Sequence, residues 1–461
     1  MPSTNRRTFL QSAAAFTAST LAAQKLAASP NTFFGGIGNT ILGANDRIRF
    51  GIIGPGGRGR GLMNTFLDNP EVDCPVVCDI DDGMIAEAIK VVESKRESTP
   101  DAVKDFRHLV EREDLDFVVV ATPDHWHALP TIYSCQAGKD VYCEKPLATS
   151  VGEGRAMLDH ARKHERVVQM GTQWRSSSHF AEAVAFVHSG KLGKIRQVRC
   201  WAFLDWIGTP GRPENGPVPE GVDYKMWLGP APTVPFNPAR FHFTFRWFYD
   251  YAGGLMTDWG VHLLNIAMWA MKYPDPVRIA STGGKFVLDD LMETPDTQQA
   301  VYQFENFSLI WEHQMKTGIG PHNRPHGIAF YGTEATLVLN SEGWEVIPEK
   351  EKPIPAETHT GAAGGQEEHV RNFLDCLSSR ERPVEDVEIG HKVSAIAHLG
   401  NLAYRTGETI HWDAEKERVI GSPKASRWVT QPYHNGWKLP SVAKAPATGR
   451  PGFNPLFRSR T

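Results

Sequence analysis

At 461 residues the chain is longer than one ordinary hydrophobic core organises, so two domains with appended segments are expected. Hydrophobic residues at 41% and charged residues at 22% are globular values, and a formal charge of -4 gives no footprint for nucleic acid or an anionic membrane. Six cysteines, Cys74, Cys78, Cys135, Cys143, Cys200 and Cys376, contain no CxxC pair, which argues against a zinc knuckle or a thioredoxin-type motif.

Residues 1–44 read as an export signal and linker. Asn5, Arg6, Arg7, Thr8, Phe9 and Leu10 precede an Ala- and Thr-rich run from Ser12 to Ala28, the pattern of a twin-arginine signal. Gln24 and Lys25 interrupt the run, and it falls short of the roughly 20 apolar residues that span a bilayer. The expected mature protein is soluble and periplasmic, or otherwise extracytoplasmic.

From 45 to 171 strand and helix alternate, as in a doubly wound parallel α/β sheet. Ile48–Ile53 is an apolar run ending at glycines, and Leu62, Met63, Phe66 and Leu67 mark the helix after it. Val76–Asp79, Phe117–Ala121, Val141–Cys143 and Val167–Met170 read as further strands. Helices are expected over Ile85–Val92, before Gly138, and after the capping box of Ser150 and Glu153.

Residues 172–420 read as an α+β domain with a large, mostly antiparallel open sheet. Its expected strands are Ile195–Phe203, Gln299–Phe304, Ser308–His313, Ile328–Tyr331 and Ala335–Leu339, and a helix follows from Gln366 to Leu377. Eight prolines between Asp205 and Arg240 predict a long ordered loop or lid. The remainder, 421–461, reads as an extended tail wrapping its own domain or a neighbouring subunit.

Gly54, Gly56 and Gly59, with Gly57 and Arg58 between them, fit G-x-G-x-x-G directly after a strand and at a helix start. In that setting the first glycine permits the tight turn, the second lets backbone approach a pyrophosphate, and the third allows close helix-strand packing. Asp79 lies 20 residues past Gly59 at a strand end, where a carboxylate accepts ribose hydroxyls, and Asp81 adds charge against a 2′-phosphate. NAD is therefore expected over NADP.

Two more strand ends run into Thr122, Pro123, Asp124, His125, Trp126 and His127, and into Glu144, Lys145 and Pro146. Ligands of open α/β sheets bind outside these ends, so both segments are expected at the cofactor. A lysine in a closed cleft suits proton transfer or the orienting of a hydroxyl. Asp258 and His262 have helical i, i+4 spacing, which predicts a carboxylate beside an imidazole as a proton shuttle. A metal site on His125, His127 and His262 is the weaker alternative, since nothing completes a ligand set.

Together these segments resemble the glucose-fructose oxidoreductase, inositol dehydrogenase and MocA family, Gfo/Idh/MocA, from about Asp46 to Trp412. The resemblance is carried by the glycine turn, the Thr-Pro segment ending in His127, the Glu144-Lys145-Pro146 triplet, Gly171-Thr172-Gln173-Trp174-Arg175, and the pair Asp258 and His262. It implies Lys145, Asp258 and His262 as catalytic, and Gln173 and Trp174 among the cofactor contacts. A sugar or polyol substrate is implied too, with Arg175, Trp206, Arg246, Trp259 and Asn265 as further contacts; at Asn265 relatives commonly carry aspartate. Of thirteen tryptophans, Trp174, Trp201, Trp206, Trp247 and Trp259 fall near the expected site, where aromatic faces stack on sugar rings. The implied activity is hydride transfer between a retained NAD and a secondary hydroxyl. An NAD-dependent glycoside hydrolase using transient oxidation and a silent NAD-holding carbohydrate-binding protein are the alternatives. An open sheet face predicts a homodimer or homotetramer.

Overall fold

The computed structural model describes residues 47–362 and 364–442. The arginine pair and linker, and the tail beyond 442, lie outside the described residues. Six parallel strands, β1 (Ile48–Ile53), β2 (Val72–Cys78), β3 (Asp101–Val103), β4 (Phe117–Val120), β5 (Asp140–Cys143) and β6 (Val168–Met170), form a sheet in the order β3-β2-β1-β4-β5-β6. The chain leaves β1 for β2 on one side and returns to β4 on the other, so the carboxyl ends of β1 and β4 form the switch point where such sheets bind ligands. The short, solvent-facing β3 carries no apolar run, and the sequence pattern does not announce it.

Ten further strands form the second sheet: β7 (Gln197–Leu204), β8 (Arg278–Gly284), β9 (Thr297–Gln303), β10 (Ser308–Met315), β11 (His326–Tyr331), β12 (Ala335–Asn340), β13 (Gly343–Pro348), β14 (Glu357–Thr360), β15 (Ile410–Asp413) and β16 (Arg418–Ile420). Their order is β14-β13-β12-β11-β7-β10-β9-β8-β15-β16, and only β10 and β7 run parallel. Strands β8 and β13–β16 go beyond the sequence expectation, being polar, short or half exposed. β9 alternates buried and exposed residues, as a sheet with one solvated face does.

Helices Gly260–Ala270 and Val387–Thr406 cover the other face. The latter is apolar and small around most of its circumference, so it lacks the stripe by which a surface helix announces itself. Helix Gln366–Ser379 returns to the first lobe: Val370, Phe373 and Leu374 are fully buried in one core with Phe50, Phe66 and Phe117. This late helix therefore completes the core of the first lobe.

The proline-rich segment is ordered and carries the helix Tyr224–Leu228. The described part of the tail wraps its own chain: Tyr433 donates to Glu153 at 2.7 Å, and Trp437 packs edge-on against Trp126 at 5.0 Å. No helix among the described residues is long and apolar enough to cross a membrane.

Candidate active site

The crevice begins at the β1 turn. Gly54 has φ of +83°, and a Cβ there would lie 2.7 Å from the Thr122 backbone nitrogen. A Cβ on Gly59 would lie 2.4 Å from the Gly54 carbonyl oxygen, so helix Gly57–Leu67 seats on the strand only with glycine there. Gly56 caps that helix without a side-chain bond, and nothing stands within 4 Å of a Cβ built on Gly56 or Gly57. First-turn N–H groups are thus open to an anion.

Gly54, Gly56 and Gly57 wall a cavity of about 560 Å³ together with Asp79, Thr122, Pro123, Asp124, Glu144 and Lys145. Burial pushes the Asp79 carboxyl up to about 7. The backbone cradle, the acid at the end of β2 and the cavity size fit a dinucleotide. A second cavity of about 180 Å³ is walled by Gln173, Trp174, Trp206, Trp259 and His262, and shares Lys145, Phe243, Arg246 and Asp258 with the first. The two are adjoining parts of one crevice.

Lys145 stands at their junction. Its Nζ donates to the Asp258 carboxylate and, at 3.0 Å, to the Asp258 carbonyl, while Arg246 Nη1 donates to the other carboxylate oxygen at 2.6 Å. Burial alone would raise the Asp258 carboxyl, but Arg246 and Lys145 hold it below the usual carboxylate range. The expected pairing of Asp258 with His262 is corrected here: the backbone stays right-handed helical through Trp259, but both carboxylate oxygens of Asp258 are taken by cations. No hydrogen bond joins Asp258 to His262 among the described residues. His262 Nδ1 is buried without a partner among them, as are Thr122 Oγ1 and Gln173 Oε1 beside the same crevice. Burial, reinforced by Lys145, holds the His262 imidazole well below its ordinary range, so the ring is neutral at pH 7. It lies against Trp174, ring centres 5.0 Å apart.

Besides Gly59, which packs the helix onto the strand, three expected contacts lie off the cavity walls. His127 is buried, its Nδ1 2.7 Å from the Pro146 carbonyl and its Nε2 3.0 Å from the Thr122 carbonyl, so the ring ties the two loops together from behind. Arg175 lies over the Trp269 ring at 4.5 Å and pairs with the fully buried Glu385 at 3.5 Å. Asn265 donates to the same Glu385 at 2.6 Å, and burial pushes that carboxyl up to about 8. Trp201 and Trp247 are fully buried core residues, whereas Trp174, Trp206 and Trp259 reach the crevice. Arg58 bonds Glu144 and Gln366, each at 2.7 Å, so its charge also orders the Glu-Lys-Pro turn. His125 Nε2 meets the Trp227 carbonyl at 2.9 Å, and among the described residues no cluster of three or more His, Cys, Asp or Glu could hold a metal ion.

Sequence reasoning passed over Phe243, Lys104, Trp227 and His242 and gave Asp124 no role of its own within its segment, though all five lie on the cavity wall. Asp124 had a signal, since it follows Pro123 at a strand end facing the switch point. Burial pushes its carboxyl up to about 8 against the pull of Lys145. Phe243 is half exposed beneath Arg246, whose guanidinium lies 4.1 Å from the ring centre. The run from Phe241 to Phe248 has no period that would place it.

Family models of the oxidoreductase NAD-binding Rossmann fold and of the oxidoreductase C-terminal alpha/beta domain match residues 48–172, and 192–314 with 328–439. The chain belongs to the Gfo/Idh/MocA oxidoreductase family. Its first domain is accordingly an NAD-binding Rossmann domain. Levoglucosan dehydrogenase of Pseudarthrobacter phenanthrenivorans is 24% identical over 314 residues, 64% of this chain and 74% of that one. A glycosyl hydrolase family 109 protein of Saccharopolyspora erythraea is 30% identical over 166 residues, 34% of this chain and only 36% of its relative. Among solved structures, levoglucosan dehydrogenase in complex with NADH and levoglucosan superposes with a TM-score of 0.63 at 18% identity, over 79% of this chain and 99% of that one. At that identity the likeness establishes the shared fold.

Proposed function

We propose that this family member is an NAD-dependent dehydrogenase of a sugar, polyol or glycoside, acting on a secondary hydroxyl between Lys145 and His262. The observation that carries the reading is the junction: a lysine fixed by a carboxylate, beside a buried neutral imidazole, at the boundary between the dinucleotide cradle and a tryptophan-walled cavity. Support from relatives comes from levoglucosan dehydrogenase, aligned over 74% of its length.

The backbone of Gly54, Gly56 and Gly57 would hold the pyrophosphate, Asp79 the ribose, and Thr122 and Pro123 the nicotinamide end. The nicotinamide, when bound, supplies the hydride acceptor or donor. Trp174, Trp206 and Trp259 offer faces to a sugar ring, and Arg246 offers donors to its hydroxyls. His262, neutral at pH 7, accepts the carbinol proton as oxidation proceeds, and Lys145 donates a hydrogen bond to the carbinol oxygen. Asp258 holds Lys145 and Arg246 at fixed positions; it does not orient His262. Glu144 acts through Arg58 on the loop that carries Lys145.

The paired arginines at the N-terminus support export by the twin-arginine route to the periplasm, and a cofactor kept bound there. The half-exposed Val301 and Ile347 on the ten-stranded sheet support a homodimer or homotetramer built on that face. The family 109 relatives favour a second reading, glycoside cleavage by transient oxidation, over the third of their length that aligns. A panel of sugars and aryl glycosides separates the two. Net nicotinamide reduction with a free sugar supports the dehydrogenase, while aglycone release without net reduction supports the hydrolase. His262→Ala with unchanged turnover would falsify the proposed role of the imidazole.

A further inference from the structure

The nucleotide cavity has walls from both lobes. On the Rossmann side, past the ends of β2 and β3, stand Asp79, Met84 and Lys104; facing them are Met226, Trp227 and His242 from the proline-rich segment and the run after it. That facing wall is bonded to the Rossmann lobe at several independent points. Asp81 and Val222 form an isolated antiparallel bridge, with Asp223 N donating to the Ile80 carbonyl at 2.9 Å and Asp82 N to the Gly221 carbonyl at 3.2 Å. Lys104 Nζ reaches the Gly221 carbonyl and Asp82 Oδ1, each at 2.9 Å. His242, at a left-handed φ of 49°, sets its Nε2 3.0 Å from Asp81 Oδ2. Non-glycine residues take that backbone region uncommonly, so the contact fixes a conformation the free loop would seldom hold.

The outer side of the segment is secured as well. Trp126 Nε1 donates to the Met226 and Trp227 carbonyls at 3.0 Å, and Asn435 of the tail donates to the Gly229 and Ala231 carbonyls at 2.8 Å. Tyr224, Trp227, Phe236 and Phe241 pack on one another beneath it. Backbone pairing, apolar packing and the tail all close on the adenosine end of the cradle, the half remote from the Lys145 junction.

We propose that residues 219–246 are an intrachain clasp that forms the second wall of the adenosine subsite and makes the dinucleotide a resident group, not an exchanging cosubstrate. The inference rests on the crevice being a nucleotide site. It goes further by assigning retention to contacts within one chain, with Lys104 and His242 as the side-chain fasteners. The substrate that is oxidised and the substrate that is reduced would then meet the same bound nucleotide in turn, the first giving its hydride to the nucleotide and the second accepting it.

The test uses the full chain. Nucleotide released on denaturation is quantified after extensive desalting, and the dissociation rate of NADH is measured by chase with excess NAD, read by tryptophan-sensitised NADH emission. Wild type is expected to keep its nucleotide, and the Lys104→Ala/His242→Ala double variant to release it at least about tenfold faster, the equivalent of about 1.4 kcal/mol. Both side chains are substantially exposed, so their removal spares the core. Amide exchange gives a second readout: bound NADH should slow exchange in 219–246 as well as in 54–59. Equal release rates for wild type and variant, or protection confined to 54–59, would overturn the clasp while leaving nucleotide binding intact. Failure of the wild type to bind NADH at all would overturn the nucleotide site and the clasp with it.

Discussion

The turn that faces the phosphates in the nucleotide half of the crevice is made of backbone, and the half beyond Lys145 is made of side chains. Gly54, Gly56, Gly57 and Gly59 shape the first by their lack of a Cβ, within a few residues of one another. The second gathers Lys145, Gln173, Trp174, Trp206, Arg246, Asp258 and His262 from both lobes, and its charges are already paired with one another. A backbone cradle tolerates change around it but not within it. A side-chain cluster fails one function at a time.

The sharpest way to break that contrast is at Lys145. Lys145→Met should lower kcat by about 10³-fold while leaving NADH affinity nearly unchanged, as loss of one placed donor to the reacting oxygen does; single-turnover rates and a binding titration on one preparation check both. A Gly54→Ala variant should do the reverse, since a left-handed backbone and a 2.7 Å approach to Thr122 penalise any side chain there. It should lose about 1–3 kcal/mol of stability together with most of its nucleotide affinity, read by denaturant unfolding and NADH titration.

Asp79→Asn tests the same half through charge. The folded-state carboxyl sits near 7, above its unfolded value, so its contribution to stability is present at low pH and lost as pH rises towards 7. At pH 8, where wild type carries a buried carboxylate, the nucleotide-free variant should melt a few degrees higher and yet bind NAD more weakly. A variant with lower Tm and undiminished affinity would remove Asp79 from the ribose site.

The cradle could be read from the sequence because its determinants are local: strand, glycines and a placed acid follow in order, and each has one physical purpose. Lys145 and His262 were legible as residues with a motif around them, but their partners were not. Helical spacing set Asp258 beside His262, yet two cations from separate segments capture the carboxylate. Arg175 and Asn265 mislead for a related reason. Arg175 follows Trp174 and Asn265 lies three residues after His262, both of which face the crevice, and only the distant, fully buried Glu385 reveals that Arg175 and Asn265 turn inward. The clasping segment carries no periodic signal, so its prolines announced order without saying where it docks.

Two smaller effects sharpen the contrast. Asn265→Ala should cost about 1–3 kcal/mol of stability by stripping a partner from buried Glu385, with kcat changed less than about twofold, measured by unfolding and steady-state kinetics. The His262 imidazole, held far below its ordinary range, should add no titration near pH 6.5 to kcat measured with nucleotide bound. A rise in kcat over about pH 6–7 that His262→Ala abolishes would place the ring in a wetter, more polar setting than the buried one described.

The most direct measurement of the central claim follows a deuterium label. Protein carrying its nucleotide is incubated with sugars and polyols deuterated at the carbinol carbons, and the nucleotide released on denaturation is analysed by mass spectrometry. Label in the nicotinamide ring with wild type, and its loss in Lys145→Met, is the predicted result. An unlabelled nucleotide across a panel that the wild type demonstrably binds would contradict hydride transfer at this site.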